Sequence, residues 1–161
     1  MNHVLKAVSM AAILAAGMAT AASSGTFRQA HDYGFGDKSS LDPSSPGRVQ
    51  AITEKVMNRL VSPDLDGKPA ADLALEWSAN ADATEWTFKL RDGVMFHDGS
   101  SLDAADVLYT FERILDPDGT SPARSALKMI ETVTAVDDMT VKMSLSTPFA
   151  DMPLQLMDYR M

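Results

Sequence analysis

The 161-residue sequence predicts a mixed α/β fold. Three observations predict it. Trp86, Phe88 and Leu90 alternate with Thr87, Lys89 and Arg91, the period of two that marks a half-buried strand. Val107, Leu108, Phe111, Ile114 and Leu115 recur at the spacing of one helical face. Val141, Met143 and Leu145 alternate once more, just after a second strand-like run at 132–136.

Taken in order, the chain opens on Lys6 and an Ala-rich apolar run, 7–18, followed by Ala19-Thr20-Ala21. A basic residue, an apolar stretch and a small-x-small triplet are the parts of a secretory signal peptide, expected over 1–21. The competing readings are an Ala-rich core helix and an uncleaved anchor. The run is short for a spanning helix, which needs about 20 apolar residues. Residues 23–45 are rich in Ser, Gly and Asp, with a turn at Leu41-Asp42-Pro43. Val49, Ile52, Val56 and Leu60 recur at helical spacing, which predicts a helix over 48–60. Ser62 to Gly67 is a turn. Asp64 and Asp66 before a glycine suggest a calcium loop, but position twelve counted from Asp64 is Leu75 where that loop needs Glu, so a turn is the better reading. Residues 80–84 form a loop.

Arg91-Asp92-Gly93 turns the chain, and Val94 and Phe96 restart the alternation, which predicts a hairpin with 86–90. His97-Asp98-Gly99-Ser100 is a second turn. Asp103 is a good helix N-cap with Asp106 as its capping-box partner, and Leu102 and Val107 are placed as a hydrophobic staple. Asp116-Pro117 stops the helix, because the residue before proline avoids helical angles. After a loop at 118–122, residues 123–129 are expected as a short helix. Asp137-Asp138-Met139 joins the two late strands, and 150–161 begins another helix-like segment.

Composition narrows the function. The length suits one domain, and 45% hydrophobic with 22% charged residues is ordinary for a globular chain. The net charge is −8, and removal of 1–21 takes away Lys6 and no acid. That argues against nucleic acid, which wants a basic face. There is no cysteine, hence no disulfide, thiolate metal site or cysteine nucleophile. His97-Asp98 and the serines at 100 and 101 suggest acid–base and nucleophilic chemistry, but neighbours on one turn do not supply the geometry, and a structural turn is preferred. Asp103 and Asp106 suggest a metal pair, and capping accounts for both. No phosphate loop, zinc spacing or hydrolase elbow is present. No cofactor is expected.

The run from Trp86 to Pro117, W-T-F-x-L-R-D-G-V-x-F-H-D-G-x-x-L-x-A-x-D-V-x-x-T-F-x-R-I-L-D-P, resembles the signature of the extracytoplasmic solute-binding proteins of family 5. Weaker matches flank it: Ser40-Leu41-Asp42-Pro43, Asp64-Leu65-Asp66-Gly67, Leu73-Ala74 with Trp77, Val136-Asp137-Asp138 with Thr140-Val141, and Pro148-Phe149-Ala150. The resemblance covers about 40–150. It implies part of a periplasmic-binding-protein type II fold, with 22–161 as the N-terminal part of a solute-binding domain incomplete at its C-terminus. It implies a non-enzymatic, periplasmic, monomeric receptor that captures a small solute, a peptide first, and hands it to the permease subunits of an ABC importer. Nickel chelate, opine and sugar receptors share the central motif. Without a cysteine at the cleavage site, the receptor implied is free rather than lipid-anchored. The residues just beyond Ser-Pro line the cleft in relatives, which carries over here to Ser121, Ala123 and Arg124. The guanidinium of Arg124 suits a carboxylate or an anionic chelate, and a plain surface arginine is the equal alternative. Two readings stand beside this one: a stand-alone or chaperone-like periplasmic module, or a truncated fragment without function. A secreted hydrolase would need a base and nucleophile that the sequence does not show.

Overall fold

The computed structural model describes residues 40–43, 45 and 50–158, all within the compact unit His31–Met161. The expected signal segment, 1–21, lies outside the described residues. Among the described residues ten elements follow in order. They are α1 (Gln50–Val56), β1 (Val61–Pro63), β2 (Pro69–Ala71), β3 (Ala74–Ala79), β4 (Glu85–Leu90), α2 (Ala104–Leu115), a 3-10 turn (Arg124–Ala126), β5 (Ile130–Asp137), β6 (Thr140–Leu145) and α3 (Met152–Gln155).

β3, β4, β6 and β5 form one antiparallel sheet in that spatial order, and β1 pairs with β2 in a small ribbon. The register follows the apolar pattern. Phe88 faces Val141 and Trp86 faces Met143 across β4 and β6, with Trp77 beside Phe88 and Val133 beside Met143. One sheet face is therefore apolar, and α2 packs on it against β5 and β6. Phe88, Phe111, Ile114, Val141 and Met143 are almost wholly buried. Burial of such side chains stabilises the fold by roughly 1.5–3 kcal/mol each. The opposite face carries the alternate residues, including the ion pairs Glu76–Lys89 at 3.6 Å and Glu85–Lys142 at 3.2 Å.

α2 forms where its sequence signals place it. Asp103 accepts from the N–H groups of Ala105 and Asp106, and Asp106 Oδ2 accepts from the N–H of Asp103, a complete capping box. Its buried residues are Ala104, Val107, Phe111 and Ile114. The buried Trp86 indole is satisfied by donating to the Phe149 carbonyl at 3.1 Å. Among the described residues no buried polar side-chain atom lacks a partner.

Several expectations need correction. β4 does not form a hairpin with 94–96. It is a central strand with β3 on one side and β6 on the other, so it has no edge left to pair. Residues 94–102 close on themselves instead: Phe96 N donates to Ser100 O at 2.8 Å and Leu102 N to Val94 O at 3.0 Å. The first helix ends at Val56 rather than at 60. Past it, the carbonyls of Arg59 and Leu60 accept from the N–H groups of Leu73 and Ala74, so this stretch is committed to sheet-like pairing. The helix expected at 123–129 is a single 3-10 turn. The last segment contains only the short α3, with Met152, Pro153 and Leu156 buried and 159–161 outside the described residues.

Candidate solute-contact segment

The chain leaves α2 through a loop that Asp116 organises. Its side chain accepts from the Asp118 N–H at 2.9 Å, and its carbonyl accepts from the Gly119 N–H at 3.0 Å. Next comes a turn that brings the three sequence-predicted residues together. The hydroxyl of Ser121 accepts from the Ala123 N–H at 3.3 Å, and its carbonyl accepts from the Arg124 N–H at 3.3 Å. Arg124 Nη1 donates back to the Pro117 carbonyl at 3.1 Å. The guanidinium is thereby held against the loop through one of its five donors. Arg124 is exposed and forms no ion pair among the described residues. Ser121 is half-buried. Ala123 is different: it is fully buried with Leu127, and its methyl group fills the core.

The other candidate groups hold structural bonds. A ring nitrogen of His97, Nε2, pairs with the Val56 carbonyl at 2.8 Å, tying the 94–102 hairpin to the end of α1. Asp98 accepts from the N–H and the hydroxyl of Ser100 at 2.9 and 2.7 Å. These bonds, the backbone one first, hold its carboxyl below the ordinary value. Asp64 Oδ1 accepts from the N–H groups of Asp66 and Lys68, which makes the Asp-rich loop a hairpin turn with Gly67 at φ 76°. Arg113 donates to Asp42 of the Ser-Leu-Asp-Pro turn, and that bond raises the pKa of its guanidinium. Among the described residues, no group of three His, Cys, Asp or Glu side chains is placed to hold a metal. Nor is any helix among them long and apolar enough to cross a membrane.

Two features had no trace in the sequence pattern. Asp72 is a hub: it accepts from Asn58 Nδ2 at 2.8 Å, Arg59 N at 2.9 Å and Ser62 Oγ at 2.6 Å. Its partners lie ten to fourteen positions upstream, a spacing no local periodicity reveals. The second is a cavity of about 500 Å³ between α1, the 57–60 stretch, the 94–102 hairpin and α2.

Comparison with known proteins places this geometry. The family model described as bacterial extracellular solute-binding proteins, family 5 Middle, matches residues 68–160. The glutathione-binding protein GsiB of Pectobacterium atrosepticum is 37% identical over 113 residues, covering 69% of this chain and 22% of that protein. The periplasmic oligopeptide-binding protein OppA of Escherichia coli is 34% identical over 131 residues, covering 68% and 23%. Among solved structures, the binding protein AgaA of A. tumefaciens R10 in complex with agropinic acid superposes with a TM-score of 0.69 at 35% identity, covering 74% of this chain and 25% of that one. The murein tripeptide-binding protein MppA of Escherichia coli superposes at 0.66 with 30% identity, covering 75% and 27%. The chain thus spans about a quarter of the length of the relatives it matches. Its mixed α/β architecture is part of the periplasmic-binding-protein type II fold. The relatives are binding proteins, not enzymes. On the match across 68–160, the chain belongs to the bacterial extracellular solute-binding proteins, family 5.

Proposed function

We propose that the chain takes part in capturing a small peptide outside the cytoplasm for delivery to the permease subunits of an ABC importer. The observation that carries this reading is the family match at 68–160, joined by relatives whose names state glutathione, D,D-dipeptide and oligopeptide binding. An N-terminal signal over 1–21 would bring it to the periplasm. In this reading 22–161 is the N-terminal part of a longer receptor that acts as a monomer. Closure of a second lobe around the solute, followed by docking on the permease, is the mechanism such a receptor uses. The turn at Ser121 and Arg124 supplies contacts from this part: an exposed guanidinium suits a peptide carboxylate. The backbone at Ala123 contributes, since its side chain is spent on the core.

A thermal-shift screen of the chain tests this, because a solute that binds only the folded state raises the melting temperature by mass action. Glutathione and dialanine are expected to raise it, and nickel and maltose to leave it unchanged. Arg124→Ala is expected to abolish the peptide shift without lowering the ligand-free value. A shift by nickel or sugar alone would replace the peptide reading. A peptide shift that survives Arg124→Ala would remove Arg124 from the site.

A further inference from the structure

The dipeptide Asp-Gly occurs at 66–67, 92–93, 98–99 and 118–119 among the described residues. It is the pair in a polypeptide most open to attack on itself. The glycine nitrogen can close a five-membered ring on the preceding carboxyl, and glycine has no Cβ to obstruct the approach. Where the fold points the glycine N–H decides whether the ring forms, because that N–H is bonded somewhere in a folded chain. In three of the four pairs the backbone holds it away from the carboxyl. Gly67 N–H donates to the Asp64 carbonyl at 3.1 Å, Gly99 N–H to the Phe96 carbonyl at 2.9 Å and Gly119 N–H to the Asp116 carbonyl at 3.0 Å. The Asp98 carboxyl is also turned towards Ser100, whose N–H and hydroxyl it accepts.

Gly93 is different. Its N–H donates to Oδ1 of Asp92 itself at 2.8 Å, so the nitrogen already touches the carboxyl group whose carbon it must attack. Both residues are exposed, so water reaches the turn. Gly93 has φ 72° and nothing within 4 Å of where a Cβ would stand, which leaves the backbone room to swing as a ring closes.

We propose that Asp92-Gly93 is a site of spontaneous backbone isomerisation, at which Asp92 converts to isoaspartate through a cyclic imide while the fold protects the other three Asp-Gly pairs. The Gly93 nitrogen bonds to Cγ of Asp92 and gives up its proton, and one carboxyl oxygen leaves as water. Water then opens the imide at one of its two carbonyls. Opening at Cγ restores aspartate. Opening at the α-carbonyl leaves Cγ bonded to the Gly93 nitrogen, which is isoaspartate. One water is lost and one is gained, and nothing is oxidised or reduced. The product backbone runs through Cβ and Cγ and is one carbon longer. That carbon enters between two anchored points: Arg91 N–H donates to the Leu73 carbonyl at 2.7 Å, and the Val94 carbonyl accepts from Leu102 N–H at 3.0 Å. The turn leaving β4 therefore has to re-form around a longer chain.

The test ages the full 161-residue chain at neutral pH, once folded and once in urea, and locates isoaspartate after digestion by electron-transfer fragmentation, which tells it from aspartate of equal mass. In the folded chain it is expected at 92 before it is seen at 66, 98 or 118, with the imide detected at 92 as a loss of one water. In urea, where no fold directs the N–H groups, it is expected at all four. Asp92→Glu, which would need a larger ring, is expected to remove the folded-state signal; should that variant not fold, the comparison of folded and unfolded parent decides alone. Hydrogen exchange over 91–102 is expected to be faster in the isolated isoaspartate form than in fresh protein, and equal exchange would overturn the consequence for the turn. Isoaspartate at 66, 98 or 118 that keeps pace with 92 in the folded chain overturns the inference. So does the same distribution in both conditions, or none at 92 in folded protein when urea yields it. Arg124 plays no part here, so this inference and the peptide reading fail separately.

Discussion

Replacement of Asp72 tests how this unit is held together where α1 gives way to the strands. The carboxylate is half-buried and accepts three hydrogen bonds. Oδ1 takes one from the Asn58 amide, and Oδ2 takes one each from the Arg59 N–H and the Ser62 hydroxyl. A sheltered hydrogen bond to a charged group contributes about 1.5–3 kcal/mol net, and partial exposure brings each of these nearer to about 1 kcal/mol. Asp72→Ala removes all three and should cost about 3 kcal/mol. Asp72→Asn separates the contributions. With its oxygen in the Oδ2 position it keeps the bonds from Arg59 and Ser62 and sets an NH₂ against the Asn58 NH₂, so its cost should be nearer about 1 kcal/mol. Urea unfolding at equilibrium measures both, with an unchanged slope as the sign that only stability moved. The bonds share one acceptor, so Ser62→Ala should cost about 1 kcal/mol in the parent and almost nothing once Asp72 is Ala. Equal costs for Ala and Asn, or full additivity with Ser62→Ala, would refute the assignment of the stability to this acceptor.

Three further outcomes follow from single observations. Phe111 is 1% exposed at the centre of the α2 contact, so Phe111→Ala should cost about 3–5 kcal/mol by chemical denaturation, while Glu112→Ala on the exposed side should stay within about 0.5 kcal/mol. Gly93 has φ 72° and open space where a Cβ would stand, so Gly93→Ala should cost about 1–2 kcal/mol through the backbone alone, and a smaller loss would show that the turn relaxes. The Asp98 carboxyl should titrate below 3.8 in a carbon-detected NMR titration, and Ser100→Ala should raise it only part of the way, because the stronger backbone bond remains. The sign follows from linkage. A depressed folded-state value means that the stabilisation from Asp98 is present above the unfolded value near 3.8 and is lost as pH falls through the folded value. A Ser100→Ala variant titrating at or below the parent would contradict this.

What the sequence disclosed depended on whether the physics was local. α2 was legible throughout because its cap, capping box, apolar face and stop all lie within fifteen neighbouring residues. β6 was legible because one apolar face is enough to define alternation, and the turns at Gly67, Gly93 and Gly99 were legible because their positive φ values favour glycine. The partner of β4 was not. Alternation states which face of a strand is buried and says nothing about its neighbours, so a nearby apolar pair at Val94 and Phe96 suggested the wrong hairpin. Leu60 misled for a related reason: it fits the helical spacing of Ile52 and Val56, yet its carbonyl is claimed by Ala74, fourteen residues on. Asp72 and the cavity beside α2 depend wholly on such distant pairings.

The proposed solute-contact turn shows the same limit at finer grain. The family resemblance pointed to this segment, but it could not say which way each side chain turns. Ala123 and Leu127, both buried without remainder, fasten the turn to the core at two points four residues apart. Between them Arg124 and Ser125 are exposed, and Ser121 on the near side is half-buried. Under the proposed function, a segment anchored in this way can change residues at 121, 124 and 125 with little loss of core packing, since none of them contributes buried apolar surface. Substitution at Ala123 is another matter. A larger side chain there must displace core atoms, at a typical cost of about 1–3 kcal/mol, so solute preference should be tunable through Arg124 and Ser125 long before Ala123 tolerates change.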